Sequence, residues 1–291
     1  MKTGRILQGI GGFYTVLSEG ESHTCKLRGK FRRQQVTPTV GDYVEFLPGA
    51  SGDEGSIERV LERKNLLLRP PVANLDLFLV TMAAASPEPD LLLTDRLLVS
   101  AAQSGIEALV LINKVDLQMG AGALRLQYEL SGYEVFELSA KERLGIEALL
   151  RRIAGLTVGF AGQSAVGKSS LINALNPLLS LETGDLSRIQ RGRHTTRRAQ
   201  VLPLSGGGFL VDTPGFSLLE LETRDPVELA KCYKEFAPYE GKCKFLSCSH
   251  TKEPGCAVLE AAREGLLSPE RMERYALLYQ EEREKWGKRY G

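Results

Sequence analysis

Hydrophobic and polar residues alternate with a period of two in the first part of the chain. Residues 13–17 and 43–46 carry this alternation, and turn-forming pairs interrupt it: Gly11-Gly12, Gly41-Asp42 and Pro48-Gly49. Short alternating runs bounded by glycine and proline are typical of strands in small all-β domains. The pattern therefore predicts an OB-like β-barrel from residue 5 to about residue 68.

The pattern changes after a linker that we predict at residues 66–71. Apolar runs then alternate with amphipathic segments of helical length, which predicts a parallel α/β sheet. Strands are expected at residues 75–82, 109–113, 134–138, 157–161 and 209–212. Helices are expected at residues 91–104, 124–130, 146–153 and 169–175. Beyond residue 220 we expect no strands, and a cysteine-rich segment precedes a charged, solvated helix at residues 269–289.

The composition is that of an ordinary globular chain with a sizeable core. Of 291 residues, 43% are hydrophobic and 25% are charged, and the net charge of +1 gives no overall attraction to nucleic acids or membranes. No uncharged run reaches the roughly 20 residues of a membrane helix, and the start of the chain lacks the apolar core of a signal peptide. We expect a cytoplasmic protein without membrane association.

Residues 162–169, GQSAVGKS, match the phosphate-loop pattern between an apolar strand and a helix. Glycines let backbone amides turn toward phosphate oxygens, and the helix N-terminus adds a partial positive charge. In this pattern Lys168 reaches the β and γ phosphates, and the Ser169 hydroxyl binds magnesium. A chance glycine turn is the alternative, but the flanking strand and helix argue against it. The predicted nucleotide-binding residues of this loop are Gly162, Gln163, Ser164, Ala165, Val166, Gly167, Lys168, Ser169 and Ser170.

A guanine-recognition box is predicted at the end of another strand, where ligands collect in open α/β sheets. Its residues are Asn113, Lys114, Val115 and Asp116. A carboxylate at Asp116 can accept hydrogen bonds from the N1-H and the exocyclic amine of guanine, whereas adenine presents a lone pair at N1. A solvated turn is the alternative for this tetrapeptide alone. Beside a phosphate loop, guanine recognition is favoured.

Two more strand ends complete the predicted nucleotide site. Ser139, Ala140 and Lys141 follow the next strand, where their backbone can meet the guanine O6. Asp212-Thr213-Pro214-Gly215 ends another strand, and this places Asp212 to hold magnesium through water and Gly215 to meet the γ phosphate. Together with the two preceding motifs, these segments predict a GTP site that uses magnesium.

The segment between the phosphate loop and Asp212 supplies the remaining catalytic candidates. A switch threonine is needed there to sense magnesium and the γ phosphate, and Thr195 and Thr196 both fit. Phe216 follows the DTPG motif, where many GTPases carry a glutamine that orients water, so we expect slow intrinsic hydrolysis. His194 is the candidate to position the water, although packing or contact with RNA would also explain it. The predicted catalytic set is His194, Lys168 and Thr196.

Three cysteines and a histidine cluster near the end of the chain. Cys243, Cys248, His250 and Cys256 supply three thiolates and one imidazole, a set suited to a closed tetrahedral zinc site. The spacing is not that of a CxxC knuckle, so scattered free thiols beside a surface histidine are the alternative. The odd number of cysteines, five, also favours metal over disulfides. We predict one structural Zn²⁺, and Cys25 and Cys232 are expected to be ordinary buried cysteines.

Basic residues concentrate in two places that suit RNA phosphates. One lies in the barrel, where strand periodicity would put alternate basic side chains on one face, and the other lies in the switch segment. Solvated edge charges and a solvated loop are the alternatives. The predicted RNA-binding residues are Lys26, Arg28, Lys30 and Arg32 in the barrel, and Arg191, Arg193, Arg197 and Arg198 in the switch segment.

The motif order NKVD, SAK, GQSAVGKS, HTT, DTPG places the guanine box before the phosphate loop, the reverse of most GTPases. In this order the chain resembles the circularly permuted branch of the translation-factor-related GTPases. With the front barrel and the Cys/His cluster it resembles the family of ribosome small subunit-dependent GTPase A, which are bacterial assembly factors.

The resemblance implies an OB-like RNA-binding barrel at residues 1–68, a permuted P-loop GTPase domain at 69–219 and a zinc-binding, mostly helical domain at 220–291. It implies GTP hydrolysis during late assembly or maturation of the small ribosomal subunit. Because Phe216 cannot orient water and the basic switch segment can be ordered by rRNA, we expect the subunit to stimulate hydrolysis, and we expect a monomer. A permuted GTPase of large-subunit assembly would lack both the barrel and the zinc cluster. An RNA-binding module that barely hydrolyses GTP is a further alternative, because Phe216 cannot orient water.

Overall fold

The structure is a computed structural model that describes residues 1–28, 37–50, 53–68, 71–117, 121–176, 199–204, 206–212, 221 and 225–290. Contacts divide the chain into two compact units. The first comprises Met1–Leu77, Leu150–Phe160 and Glu182–Phe216, and the second comprises Phe78–Leu149, Ala161–Leu181 and Ser217–Gly291. Among the described residues, no helix combines the length and apolar character needed to cross a bilayer.

The N-terminal strands close into the predicted barrel. They are β1 (Lys2–Ile10), β2 (Phe13–Ser18), β3 (Glu21–Leu27), β4 (Tyr43–Leu47) and β5 (Gly55–Val60), in the order β1-β2-β3-β5-β4. Alternate side chains point inward, as period-two patterning requires, and fill a small apolar core: Ile6, Val16, Cys25, Val44, Phe46 and Ile57. Cys25 is buried as predicted.

The predicted linker at residues 66–71 is wrong in part. Leu66–Leu68 forms strand β6, which pairs antiparallel with β7 (Pro71–Ala73). The proline lies at the first residue of its strand, where its missing N–H is tolerated. The leucines followed by prolines in the sequence thus form two short paired strands instead of a linker.

The larger sheet has the order β10-β9-β8-β11-β13-β12. Its strands are β8 (Leu77–Ala83), β9 (Glu107–Asn113), β10 (Val135–Glu137), β11 (Thr157–Gly162), β12 (Gln200–Pro203) and β13 (Phe209–Asp212). The pairs β9/β10 and β11/β13 are parallel, as predicted. Strand β12, which the sequence did not predict, pairs antiparallel with β13 at the edge of the sheet.

Four helices alternate with these strands close to their predicted bounds: α1 (Leu91–Gln103), α2 (Gly122–Glu129), α3 (Ile146–Ile153) and α4 (Lys168–Leu175). Helix α1 begins at a capping aspartate, because the Asp90 carboxylate accepts a hydrogen bond from the Leu93 N–H at 2.9 Å. Side-chain caps of this kind satisfy one of the free amides of the first turn.

The described residues 225–290, here called the C-terminal module, contain only helical elements and loops. These are α5 (Glu228–Lys231), a 3-10 turn (Lys234–Tyr239), α6 (Ala257–Arg263) and α7 (Pro269–Tyr290). The helical prediction is confirmed, but the expectation of a wholly solvated terminal helix is wrong, because Arg271 is 2% exposed and Tyr275 is fully buried. Cys232 is only half-buried, so it too departs from prediction.

Candidate functional site

Strand β11 leads straight into the predicted phosphate loop, and glycines are required there by close backbone approach. A Cβ at Gly162, which has φ 142°, would lie 1.9 Å from the Thr81 carbonyl oxygen. A Cβ at Gly167, with φ 93°, would lie 2.5 Å from Nδ2 of Asn113. The second contact joins the phosphate loop to the guanine box. Glycine at 167 is thus needed both for the left-handed turn and for room beside Asn113.

Asn113 connects three of the predicted motifs. It is 1% exposed at the end of β9, and its Nδ2 donates to the Val166 carbonyl oxygen at 2.9 Å. Its Oδ1 accepts from the Ala140 N–H at 3.1 Å. Because both ends of this amide are used, the side chain fixes the phosphate loop and the SAK segment relative to β9.

Lys114 adds a second bridge. Its backbone has φ 62°, and its Nζ donates to the Ala165 carbonyl oxygen at 2.8 Å and to the Ser86 carbonyl oxygen. The lysine therefore lies across the phosphate loop, which itself turns through a positive φ of 63° at Ala165.

The remaining base-recognition candidates lie where the box and SAK segments turn. Asp116 is exposed within a 3-10 turn, Val115–Leu117, while Ser139 is fully buried. The Ser139 Oγ accepts from the Glu142 N–H at 3.0 Å, which shapes the SAK turn. Lys141 is exposed and pairs with Glu142 at 3.1 Å. The contacts of Asn113 and Lys114 bring this turn, the box and the phosphate loop together.

Lys168 begins α4, and its ammonium group is held by the loop. Its Nζ donates to the carbonyl oxygens of Gly162 at 2.8 Å and Gln163 at 2.6 Å. Burial lowers the pKa of Lys168 to about 8. Ser169 and Ser170 follow in the first turn of α4 and are half-buried. A helix N-terminus with a lysine directed into the loop is the arrangement that binds phosphate groups.

Several predicted residues lie outside the part of the chain that the structure describes. Asp212 is described: it ends β13, and its backbone pairs with that of Gln200. The predicted residues that the structure does not describe are Gly215 and the adjoining Phe216, the switch residues His194, Thr195 and Thr196, and the basic residues Lys30, Arg32, Arg191, Arg193, Arg197 and Arg198. Their roles stay predictions.

The four predicted metal ligands converge. Their ligand atoms all lie within 4.8 Å of one another. The Cys243 and Cys256 sulfurs are 3.9 Å apart, and His250 Nδ1 is 3.6 Å from the first and 3.3 Å from the second. Tetrahedral zinc with ordinary Zn–S and Zn–N bonds needs about 3.8 Å between sulfurs and about 3.6 Å between sulfur and nitrogen. The cluster therefore fits the size of a zinc site.

The surrounding residues hold this cluster in shape. Burial raises the pKa of the Cys248 and Cys256 thiols and lowers that of His250. A bound cation would reverse this preference by stabilising the thiolates. The Glu253 carboxylate accepts a hydrogen bond from the Ser249 N–H at 2.8 Å and others from the Ser249 side chain and nearby backbone amides. Burial raises the pKa of Glu253, but these hydrogen bonds outweigh it and lower the pKa to about 2. The charged carboxylate thus fixes the turn that carries His250.

Of the four basic barrel residues predicted to bind RNA, the structure describes Lys26 and Arg28. Lys26 is on β3, but this strand ends at Leu27, before Arg28. Lys26 pairs with Glu54 at 2.5 Å, and Arg28 pairs with Glu58 at 2.8 Å. Both basic groups are largely exposed, and each has an acidic neighbour. Their contact with RNA stays a prediction.

Sequence reasoning missed the segment that precedes α1. The Ser86 carbonyl oxygen accepts a hydrogen bond from the Lys114 ammonium group, and the Asp90 N–H donates to Oε1 of Gln163 at 3.2 Å. The pattern of prolines followed by aspartate before an apolar helix was a recognisable capping signal. Nothing in the linear sequence connected that cap to the phosphate loop.

The chain matches two family models. The model described as RsgA GTPase matches residues 60–222, more than half of the chain, and the model described as RsgA N-terminal domain matches residues 3–57. Curated relatives named small ribosomal subunit biogenesis GTPase RsgA include one from Geobacillus sp. strain WCH70, 43% identical over 98% of this chain and 99% of the relative. Another, from Moorella thermoacetica, is 45% identical over 94% of each chain.

Two crystal structures are similar over nearly their whole length. YjeQ from Thermotoga maritima is 39% identical with a TM-score of 0.81, covering 96% of this chain and 98% of its own. YloQ, described as a circularly permuted GTPase, is 33% identical with a TM-score of 0.81, covering 98% of this chain and 96% of its own. The permuted order of motifs predicted from the sequence is therefore shared with a solved relative.

Proposed function

Because the chain belongs to the RsgA GTPase family and is a GTP hydrolase, we propose that it binds the small ribosomal subunit and hydrolyses GTP during the late assembly or maturation of that subunit. The relatives are named for small-subunit biogenesis. We further propose that the subunit stimulates hydrolysis. On this view the domains are an RNA-binding barrel at 1–68, the GTPase domain at 69–219 and a zinc-binding domain at 220–291, in a monomeric cytoplasmic protein.

One observation supports the nucleotide site above others: Asn113 hydrogen-bonds both the phosphate loop and the SAK segment. Motifs separated by tens of residues thus form one surface at the ends of β9, β10 and β11, where open α/β sheets bind ligands. In our proposal Asp116 reads the guanine edge, the backbone of Ser139, Ala140 and Lys141 surrounds the base, and the amides of residues 162–170 bind the phosphates.

For hydrolysis we propose that Lys168 stabilises the charge that develops on the transferred phosphoryl group. Ser169 and Asp212 would hold Mg²⁺, together with Thr195 or Thr196, and Mg²⁺ would neutralise the phosphate oxygens. The Gly215 amide would contact the γ phosphate. Phe216 offers no group to orient water, so we assign that role to His194.

The Cys/His cluster would hold one structural Zn²⁺, because its ligand set leaves no open coordination position. The ligand atoms of Cys243, Cys248, His250 and Cys256 lie within 4.8 Å of one another, which supports this proposal. In the barrel and the switch segment we propose that Lys26, Arg28, Lys30, Arg32, Arg191, Arg193, Arg197 and Arg198 contact rRNA phosphates.

The test measures GTP turnover by purified protein with and without purified small ribosomal subunits. We expect slow turnover by the protein alone and an increase of at least about tenfold with small subunits, which corresponds to about 1.4 kcal/mol of transition-state stabilisation. Large subunits at the same concentration are the control. Equal stimulation by both subunits would overturn the partner assignment. No stimulation by small subunits would overturn it too and would favour a GTP-binding module that barely hydrolyses its ligand.

A further inference from the structure

The N-terminal end of helix α1 and the residues before it make hydrogen bonds with the phosphate loop and the guanine box. Its capping residue Asp90 donates its backbone N–H to Gln163 of the phosphate loop at 3.2 Å. Four residues earlier, the Ser86 carbonyl oxygen accepts from Lys114 of the guanine box. The short segment before α1 therefore touches both motifs.

Further along α1, buried ion pairs connect the helix to the C-terminal module. The Asp95 carboxylate is fully buried and accepts from Arg271 and, at 2.6 Å, from Nε of Arg274. Arg271 also donates from Nε to Glu235 at 2.5 Å. Burial opposes the charge of Arg271, but the two carboxylates raise its pKa above the ordinary value. The guanidinium is therefore permanently charged and depends on these partners.

Two further contacts run along the same helix. Arg96 donates to Glu281 of α7 at 2.6 Å, with the two side chains 21% and 40% exposed. Val99 is fully buried in the apolar core of the C-terminal module, together with Tyr233, Tyr275 and Leu278. One side of helix α1 thus packs against the C-terminal module, and its N-terminal end contacts the phosphate loop.

A buried ion pair is costly to break because it leaves an uncompensated charge, whereas the neutral hydrogen bond at Gln163 is weaker. The buried ion pairs therefore hold α1 to the C-terminal module more firmly than the Gln163 contact holds it to the phosphate loop. We propose that the module positions the phosphate loop for nucleotide binding through α1, with Asp95 and Gln163 as positioning residues. The proposal rests on the proposed function only for the identity of the nucleotide.

A double-mutant cycle in the full-length protein tests this coupling, with the dissociation constant of GDP as the measurement. Glu281→Gln removes a partly exposed ion pair and leaves the buried charges intact. Because only the part of this pair's free energy that differs between free and bound protein reaches the nucleotide, we expect GDP binding to weaken about twofold, less than the roughly threefold that the whole pair is worth. In a Gln163→Ala background the same change is expected to have no further effect. Glu260→Gln is the matched control, since Glu260 pairs with Arg263 at 2.7 Å inside α6 rather than with α1.

Hydrogen exchange gives a second readout, because coupling between two sites is reciprocal. GDP is expected to slow amide exchange in α7 of the parent protein and to lose this effect with Gln163→Ala. Additive effects in the cycle, a loss with Glu260→Gln equal to that with Glu281→Gln, or exchange in α7 that ignores GDP would each overturn the proposal. A parent protein that binds no GDP would instead overturn the proposed function.

Discussion

Replacing Asn113 with alanine is the most direct test of how the nucleotide site is assembled. The change deletes the hydrogen bonds to Val166 and from Ala140, at 2.9 and 3.1 Å, inside a region where the side chain is 1% exposed. Each bond contributes about 0.5–1.5 kcal/mol, and the orphaned groups are not fully solvated. If the phosphate loop and the SAK segment need Asn113 to keep their positions, GDP binding should weaken by about 2 kcal/mol, or roughly thirtyfold.

The assay is titration with a fluorescent GDP analogue, accompanied by thermal unfolding. Asn65→Ala is a matched control, because the Asn65 side chain also makes two hydrogen bonds, donating to the Leu75 carbonyl oxygen at 2.7 Å and accepting from the Leu75 N–H at 3.0 Å. Both variants should lower Tm, but only Asn113→Ala should lose affinity. If Asn113→Ala folds with a lower Tm and its dissociation constant for GDP stays within about twofold of the parent's, Asn113 has only a structural role and the reasoning fails.

Three further predictions concern single groups. Asp116→Asn should weaken GTP binding and restore complementarity to xanthine nucleotides, and equal GTP affinity in competition titrations would remove the guanine-box assignment. Purified protein should contain about one equivalent of zinc by elemental analysis, and Cys248→Ser should lose it and destabilise residues 225–290; metal-free parent protein with an intact module would contradict this. Because burial lowers the pKa of Lys168 to about 8 and phosphates favour its charged form, GDP binding should weaken above pH 8 and take up protons. Calorimetry in two buffers at pH 8.5 measures this uptake, which Lys168→Met should abolish.

The sequence predicted most where the information is local. Glycines, the lysine and the serine of residues 162–169 define the phosphate loop by their spacing, and period-two and period-3.6 patterns located strands and helices within a few residues. Strand β12 escaped because four residues ending in Pro203 carry too little pattern. The hairpin of β6 and β7 was taken for a linker for the same reason.

Long-range pairing is what the sequence did not predict. Arg271 looks like one of several surface cations of a charged helix, yet it is buried because Asp95, 176 residues earlier, and Glu235 accept from it. Neither carboxylate is marked by a motif. The burial of a charged residue depends on the partner that the fold brings to it, so a pattern on one helix cannot reveal it.

The order of the motifs matters less for this site than the strand ends on which they lie. The guanine box follows β9, the SAK segment follows β10 and the phosphate loop follows β11, and the ends of parallel strands meet at one edge of a sheet whatever the connections between them. Asn113 and Gly167 show how closely the guanine box and the phosphate loop are matched, since a Cβ at Gly167 would lie 2.5 Å from Nδ2 of Asn113. The permuted chain preserves this contact across 54 residues because it depends on strand order in the sheet rather than on order along the chain.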